Sequence, residues 1–399
     1  MQLNKETLRF IREHHTDDVR SLALKASVPA GVNLRVALTQ IAGQQAAARK
    51  LPMWYRTEGI IYPPHLSLEQ CSSQPTAHYK ANLVSKLSNR VAFTDLTGGF
   101  GIDCALLASL YTKAVYVERD AQLCRIAAHN FPLLGVPHIN VVNNDALLYL
   151  TTMKTVDLIF IDPARRDGHG GKVVSVSDCE PDVSQLLPLL LDKATHTLIK
   201  LSPMLDLSLA LQALPNTQEV HIVSVNNECK ELLLLVGQEP PAPENIPIYC
   251  TDLPHGASFV FTRKEEQTAT CEYAAAPGNY LYEPNASVMK GGAFRSVAYI
   301  YKVKKLHPNS HLYTSDEPVP HFPGRSFKIT DCCGWNKKEL KEMLGELKQA
   351  NLAVRNFPAS VAELRKRLKI TDGGDVYLFA TTLNDGQKIL LKTIKSISV

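Results

Sequence analysis

The stretch Asp95-Leu-Thr-Gly-Gly-Phe-Gly-Ile-Asp103, DLTGGFGID, follows the apolar run VAF and leads into ALLASL. It sits where a strand pattern gives way to a helix pattern. A tight turn needs one glycine. Three glycines imply that something must come close to the main chain, because glycine leaves room there and lets N–H groups point inward. The spacing D-x-x-x-G-x-G differs from the G-x-G-x-x-G dinucleotide fingerprint, and no Lys-Ser/Thr pair follows to complete a phosphate-binding loop.

Working outward, apolar runs alternate with helical patterns. KAVYVE, INVVNND, VDLIFIDP, THTLIKLS, EVHIVSV, ELLLLVG and SFVFTRK read as strands. The nearly continuous apolar character of these runs, with helices between them, predicts an α/β fold: a Rossmann-like parallel sheet covered on both faces. The last two runs, ELLLLVG and SFVFTRK, are expected to pair as an antiparallel hairpin at the sheet edge. QEPPAPENIP (238–247) reads as a surface loop within this domain. Ahead of the sheet, residues 1 to about 50 show apolar residues three and four apart, the mark of helices, and Pro52 falls where the last of them would stop.

Ligands of such sheets bind at the carboxyl ends of the strands. The second strand ends at Glu118, where a carboxylate can accept both hydroxyls of a ribose. The third ends in NND, placing Asp145 to accept from an adenine amino group, with Asn144 nearby. One acid at a strand end is most often simply solvated. Asp95, Glu118 and Asp145 at three successive strand ends are a pattern.

DLTGGFG, Glu118, Asp145 and IFIDPARR together resemble the class I S-adenosylmethionine-dependent methyltransferases, over roughly residues 69–264. The resemblance implies a seven-stranded sheet that binds S-adenosylmethionine over the glycine turn. Asp95, Thr97, Gly99 and Gly101 would lie at the methionine part, Glu118 at the ribose and Asp145 at the adenine. Thr76 and Lys80, in the helical SSQPTAHYKA that precedes the first strand, would contact the cofactor carboxylate, with a solvated helix cap as the alternative. A nicotinamide or flavin dehydrogenase is disfavoured by the glycine spacing and by Asp162-Pro163.

IDPARR places Asp162 at the end of the fourth strand. Nucleobase methyltransferases commonly carry D/N-P-P-aromatic there. Here Ala164 replaces the second proline and Arg165 the aromatic residue. Asp162, Pro163 and Arg165 are the expected catalytic residues, with Asp162 accepting a hydrogen bond or proton. Arg165 and Arg166 would hold a phosphate or stack on a base, unless Arg165 pairs with an acid of the fold. D-P-x-R-x-G also resembles the uracil-C5 methyltransferases, but Val225 stands where their nucleophilic cysteine would be, and Cys229 comes a few residues late.

YLYEPNASVMKGGAF, FPGRSF, ANLAVRNFP and LRKRLKITDGGDVYLFATT, with the motifs above, resemble bacterial methyltransferases that carry a small ferredoxin-like segment and a C-terminal THUMP-like domain. The expected organisation is an N-terminal helical region (1–68), a methyltransferase domain (69–264), a ferredoxin-like segment (276–320) and a small α+β THUMP-like domain (321–399). THUMP domains bind RNA, so the resemblance implies an RNA partner, transfer or ribosomal. Arg355, Arg365, Lys366, Arg367 and Lys369 offer positive charge, and Phe357 and Tyr377 offer stacking surfaces, with a solvated basic helix face and core aromatics as the alternative. The alternatives are a methyltransferase acting on protein or a small molecule, and an RNA-binding protein with a relict cofactor fold.

The formal charge of +4 permits a nucleic-acid partner without demanding one. The charged N-terminus is no signal peptide, and LLPLLL and LLLLV are too short to span a bilayer. Nine scattered cysteines without a C-x-x-C pair indicate reduced thiols, a cytoplasmic location and no metal site.

Overall fold

The computed structural model describes residues 4–24, 28–165, 175–254 and 258–396. The chain forms two compact units. One is Met1–Val220 with Glu231–Pro241, the other His221–Lys230 with Ala242–Val399. The boundary expected after residue 264 therefore falls inside the second unit, and the N-terminal helices belong to the first.

Six helices open the first unit: α1 (Lys5–His14), α2 (Val19–Ala23), α3 (Leu34–Lys50), α4 (Pro52–Arg56), α5 (His65–Gln70) and α6 (Gln74–Val84). Asn4, Asp18 and Asn33 cap the first three, each accepting an N–H three residues on. Phe10, Ile11, Leu22, Ala37 and Ile41 make a small core among them. Pro52 stands at the first position of α4, where its missing N–H leaves no bond unmade.

The alternating part follows as β1 (Ala92–Asp95), α7 (Ile102–Ala108), β2 (Lys113–Glu118), α8 (Ala121–Leu133), β3 (Ile139–Asn143), α9 (Ala146–Thr152), β4 (Val156–Ile161), α10 (Val183–Lys193), β5 (Ala194–Leu201), α11 (Leu207–Ala213), β6 (Thr217–Val225) and β7 (Glu228–Gly237). These seven strands are ordered β3-β2-β1-β4-β5-β7-β6. The strands from β3 to β5 run parallel. Strand β7 alone opposes β5, from His196↔Gly237 to Leu201↔Leu232. Strand order reverses between β1 and β4, so the carboxyl ends of these two strands flank the switch point where α/β sheets bind ligands.

The expected edge hairpin is corrected. ELLLLVG pairs with THTLIKLS, and Phe259–Phe261 (β9) pairs instead with β8 (Ile248–Leu253), as in Ile248↔Phe261. Strand β8 was hidden because its sequence is mixed and it begins beside the proline-rich loop. β8 and β9 follow β6 in the strand order, giving nine strands where seven were expected.

In the second unit β10 (Tyr280–Pro284), β11 (Lys304–Lys305), β12 (Tyr313–Ser315), β13 (Gly324–Gly334), β14 (Asn351–Arg355), β15 (Val376–Thr382) and β16 (Lys388–Lys395) form one sheet, ordered β11-β12-β10-β13-β16-β15-β14. Strand β10, from the expected ferredoxin-like segment, pairs with β13, from the THUMP-like stretch, between Tyr280↔Lys328 and Pro284↔Gly324. Gly324 permits this, since a Cβ there would lie 2.1 Å from the Glu283 carbonyl oxygen. Helices α12 (Arg263–Thr268), α13 (Ala286–Gly291), α14 (Phe294–Tyr301), α15 (Lys337–Leu344) and α16 (Val361–Leu368) complete the unit. No helix among the described residues is long and apolar enough to cross a membrane.

Candidate functional site

The turn after β1 explains its three glycines one by one. Gly98 has no room for a side chain, since a Cβ would lie 2.1 Å from the Tyr116 ring. Gly99 and Gly101 have φ of 55° and 84°, the left-handed region that side chains disfavour. The Tyr116 hydroxyl donates to the Gly99 carbonyl at 2.6 Å, pinning the turn to β2.

Carboxylates surround this turn. Asp95 is 1% exposed, and its Oδ1 accepts from the Thr97 N–H at 2.9 Å. Thr97 Oγ1 accepts from the Asp162 N–H at 2.7 Å and so ties the end of β1 to the end of β4. Glu118 accepts from the Gly99 N–H at 2.9 Å and from the Asp120 N–H at 2.8 Å. Burial pushes the Asp95 carboxyl well above its ordinary value. The Thr97 hydrogen bond opposes this, while the charges of Asp103, Asp162 and Glu118 add to it. Asp145 lies beyond β3 and caps α9, its Oδ1 accepting from the Leu147 and Leu148 N–H groups at 2.9 and 3.2 Å. The Asn143 side chain donates to the Glu118 and Arg119 carbonyls, joining that strand end to the β2 end. Asp95, Thr97, Gly99, Gly101, Glu118 and Asp162 are thus linked through short hydrogen bonds and the turn itself, and Asp145 sits one strand further out.

Beside Asp162 lies a buried ion cluster that sequence reasoning missed as a unit. Lys80, fully buried on α6, sets its ammonium 2.5 Å from Glu231 Oε2, 3.2 Å from Asp103 Oδ1 and 3.2 Å from Ser72 Oγ. Ser72 Oγ is in turn 2.6 Å from Asp103 Oδ2. Lys200, at the end of β5, sets its ammonium 2.5 Å from Asp162 Oδ2 and 3.8 Å from Asp103 Oδ2. Thr76, 1% exposed, contributes a side-chain hydrogen bond to Glu231. Lys80 and Thr76 therefore serve protein acids, a different role from the cofactor-carboxylate contact expected of them. A fully buried ammonium needs such partners, because isolated charge in the interior is costly.

The electrostatics follow from this packing. Burial pushes Asp162 up; the adjacent Lys200 ammonium pulls it down, and Asp103 and Glu231 push it up again, leaving it above the ordinary value. Burial alone would lower Lys200, but Asp162, Asp103 and Glu231 hold it above the usual lysine range. Glu231 ends below its ordinary value, because Lys80 and Lys200 outweigh its burial. Asp162 is the member that reaches outward, with its side chain 36% exposed against 9% for Asp103 and 4% for Glu231. Pro163, next to it, is buried. The backbone of Ala164–Arg165 pairs antiparallel with Cys179–Glu180. The Arg165 side chain and the whole of Arg166 lie outside the described residues.

A cleft of about 670 Å³ opens at the other end of the strands, lined by Val91, Ala92, Val156, Asp157, Ala194 and His196 among others. These are the amino ends of β1, β4 and β5, away from the switch point, so the cleft does not compete with the glycine turn as the candidate site.

In the second unit the expected nucleic-acid contacts divide. Lys366, Arg367 and Lys369 are exposed. Arg365 is bound to Asp372, and Arg355 to Glu283. The Arg367 guanidinium lies 4.9 Å from the Trp335 ring centre. Phe357 packs edge-on against Trp335 at 4.8 Å, and Tyr377 packs against Phe327 at 5.0 Å. Both rings are half-buried and pack against apolar clusters, as the core alternative expects. Alternation within strands and aromatic side chains in a basic stretch do not tell a core ring from an exposed one.

Cys229 lies on β7 two residues before Glu231 and acts electrostatically on the buried Cys250. Cys229→Ala is expected to leave methyl transfer unchanged in a tritium-incorporation assay, whereas loss of transfer would restore thiol chemistry as a reading.

The strand order, the glycine turn and the strand-end acids define a class I methyltransferase fold. Residues 280–323 match a family model described as a ferredoxin-like domain, and residues 324–393 one described as THUMP domain-like. No curated protein matches the sequence. Among solved structures, a candidate methyltransferase from Porphyromonas gingivalis W83 is 35% identical, with a TM-score of 0.88 and 100% of each chain covered. The chain belongs to the family of that protein, a methyltransferase-type α/β unit followed by ferredoxin-like and THUMP-like domains. An rRNA methylase from Streptococcus thermophilus is 13% identical over 41% of this chain and 97% of its own, with a TM-score of 0.33. SMU.1697c of Streptococcus mutans, crystallised with SAH, is 11% identical over 41% of this chain and 96% of its own, with a TM-score of 0.31. Likeness at that level carries no argument about substrate.

Proposed function

We propose that the chain transfers a methyl group from S-adenosylmethionine to a nucleobase in structured RNA, transfer or ribosomal. The observation that carries the reading is the single hydrogen-bonded frame made by Asp95, Thr97, Gly99, Glu118 and Asp162 at the switch point of the sheet. The cofactor is S-adenosylmethionine, and the residues fit it. The position of a Cβ at Gly99 faces open space, the nearest atom being the Thr97 carbonyl oxygen at 3.9 Å, so a ligand can approach the main chain there. Each Glu118 oxygen accepts one backbone N–H and keeps acceptor capacity for a ribose hydroxyl. Asp95, Thr97, Gly99 and Gly101 would serve the methionine part, Glu118 the ribose and Asp145 the adenine. The bound cofactor supplies an electrophilic methyl on a positively charged sulfur.

The protein's part is positioning and handling of one proton. Asp162 accepts a hydrogen bond from the acceptor N–H and takes its proton. Lys200 holds that carboxylate in one orientation and favours its charged form. Pro163 stiffens the chain that follows, and Arg165 would meet a base or phosphate. The THUMP-like domain and its exposed basic residues support RNA as the acceptor. The absence of a D/N-P-P-aromatic motif keeps a protein or small-molecule acceptor as the second reading. Incubation with tritiated S-adenosylmethionine and bulk bacterial RNA is expected to label the RNA and not the protein fraction. Label confined to protein or to small molecules would replace the substrate and keep the enzyme.

A further inference from the structure

The second unit holds two arginines on one buried acid. Glu283, on β10, has a side chain only 4% exposed. Arg325 is its cross-strand partner on β13, with Nε donating to Glu283 Oε2 at 2.9 Å and Nη2 bound to the same oxygen. Arg355, the last residue of β14, places Nη2 2.5 Å from Glu283 Oε1, and its Nη1 donates to the Val354 carbonyl at 2.8 Å. Three strands separate β10 from β14 in the sheet order, so the acid draws together groups from distant parts of the sheet. The Arg325 guanidinium also rests 5.5 Å from the Phe327 ring centre.

This arrangement is more than a structural ion pair requires. One carboxylate neutralises only one of two guanidinium charges. Both side chains remain partly open to solvent, 36% for Arg325 and 40% for Arg355. The hydrogen bonds described use two donors of Arg325 and one of Arg355, out of the five that each guanidinium carries, while the Arg355 contact to Glu283 Oε1 is an ion pair. A third cation, Lys305, acts on the same histidine as Arg355, His311. Lys305 is 3% exposed, donates to the Pro308 carbonyl at 2.8 Å and faces the rings of Phe294 and Tyr313. His311 senses this field. It stacks on Phe294 with ring centres 3.7 Å apart and is pushed down to about 4 by burial, with the charges of Lys305 and Arg355 adding to the effect. Two guanidinium groups against the single Glu283 carboxylate leave a positive charge over at this cluster, with both groups oriented by the same acid. Planar forks of this kind match phosphate oxygens two at a time.

We propose that Arg325 and Arg355, oriented by Glu283, form a phosphate-binding site, and that its ligand is the phosphodiester backbone of RNA. The proposal rests on the RNA reading above and gives it a site. Sequence reasoning named Arg355 but not Arg325 or Glu283, because the three come together only in the folded sheet.

The test is filter binding of bulk bacterial transfer RNA to the full chain across a salt series, beside a calorimetric titration with inorganic phosphate. Glu283→Gln/Arg325→Gln/Arg355→Gln removes both cations without leaving a bare buried acid. Affinity of that variant for RNA is expected to fall at least about tenfold at low salt, and the slope of log K against log salt to shrink by about 1.5 to 2, as loss of two phosphate contacts requires. Glu283→Gln alone keeps both arginines and is expected to keep the slope. If the triple variant does not fold, Arg325→Lys/Arg355→Lys keeps the charges and loses the forks; its affinity falls while its slope holds. Unchanged affinity and slope in the triple variant, or unchanged affinity in the lysine pair, overturns the site. Binding of inorganic phosphate without binding of RNA overturns the RNA assignment in favour of a free phosphoryl ligand. Binding of neither by the wild type overturns the proposal entirely. Methyl transfer is scored separately, so a chain that binds RNA here and methylates nothing contradicts the catalytic reading alone.

Discussion

Lys80→Met destabilises the first unit by about 3–5 kcal/mol in urea unfolding, because it strands two acids in the interior. Glu231 and Asp103 both lose their nearest cation, and neither side chain is more than 9% exposed. Lys200 lies 3.8 Å from Asp103 and is already engaged by Asp162, so it compensates only in part. The effect depends on pH in a fixed direction. Lys80 and Lys200 depress Glu231 in the folded chain, so its contribution is present above the ordinary glutamate pKa and is lost as pH falls through the depressed value. The gap between wild type and variant therefore closes in acid. Lys80→Met/Glu231→Gln recovers part of the loss at neutral pH. A loss below about 1 kcal/mol for Lys80→Met, the range of an exposed ion pair, would show that the cluster is hydrated.

Asp162→Asn is expected to slow methyl transfer by about 10² to 10⁴, the usual contribution of a positioned acid or base. Cofactor affinity changes little, because the link from Asp162 to the turn runs through its backbone N–H, which asparagine keeps. Lys200→Met tests the same assignment from the other side. The Lys200 ammonium pulls Asp162 down against burial, so its removal raises Asp162 further. The base form then appears only at higher pH, and the acid limb of the single-turnover pH profile moves in the alkaline direction. Full activity in Asp162→Asn, or an unmoved limb in Lys200→Met with activity retained, would remove Asp162 from the proton path.

Much of the first unit was legible because its signals are local. The glycine turn, the apolar strands and acids placed just where strands end are all written in short windows of sequence. The ion cluster was not, since its members come from α6, α7, the end of β5 and β7 and meet only after folding. A faint signal existed: Lys200 interrupts THTLIKLS, and Glu231 heads ELLLLVG, each a charge against an otherwise apolar run. A charge that survives in such a run is a charge with a buried partner. Strand β8 was missed for the opposite reason. IYCTDL is too mixed to stand out beside the prolines that precede it, and its pairing with Phe259–Phe261 and with β6 makes it a strand. Whether Phe357 and Tyr377 pack inward was not legible either, because composition does not show which face of a strand or loop is covered.

The central claim is that the frame at the switch point holds S-adenosylmethionine, and a calorimetric titration tests it directly. Wild type is expected to bind the cofactor saturably at one site. Asp95→Asn/Glu118→Gln, which preserves shape and removes both carboxyl groups at the turn, is expected to bind at least about 100-fold more weakly, the size set by two lost hydrogen bonds to the cofactor. Equal binding by this variant, or no binding by the wild type, would contradict the account.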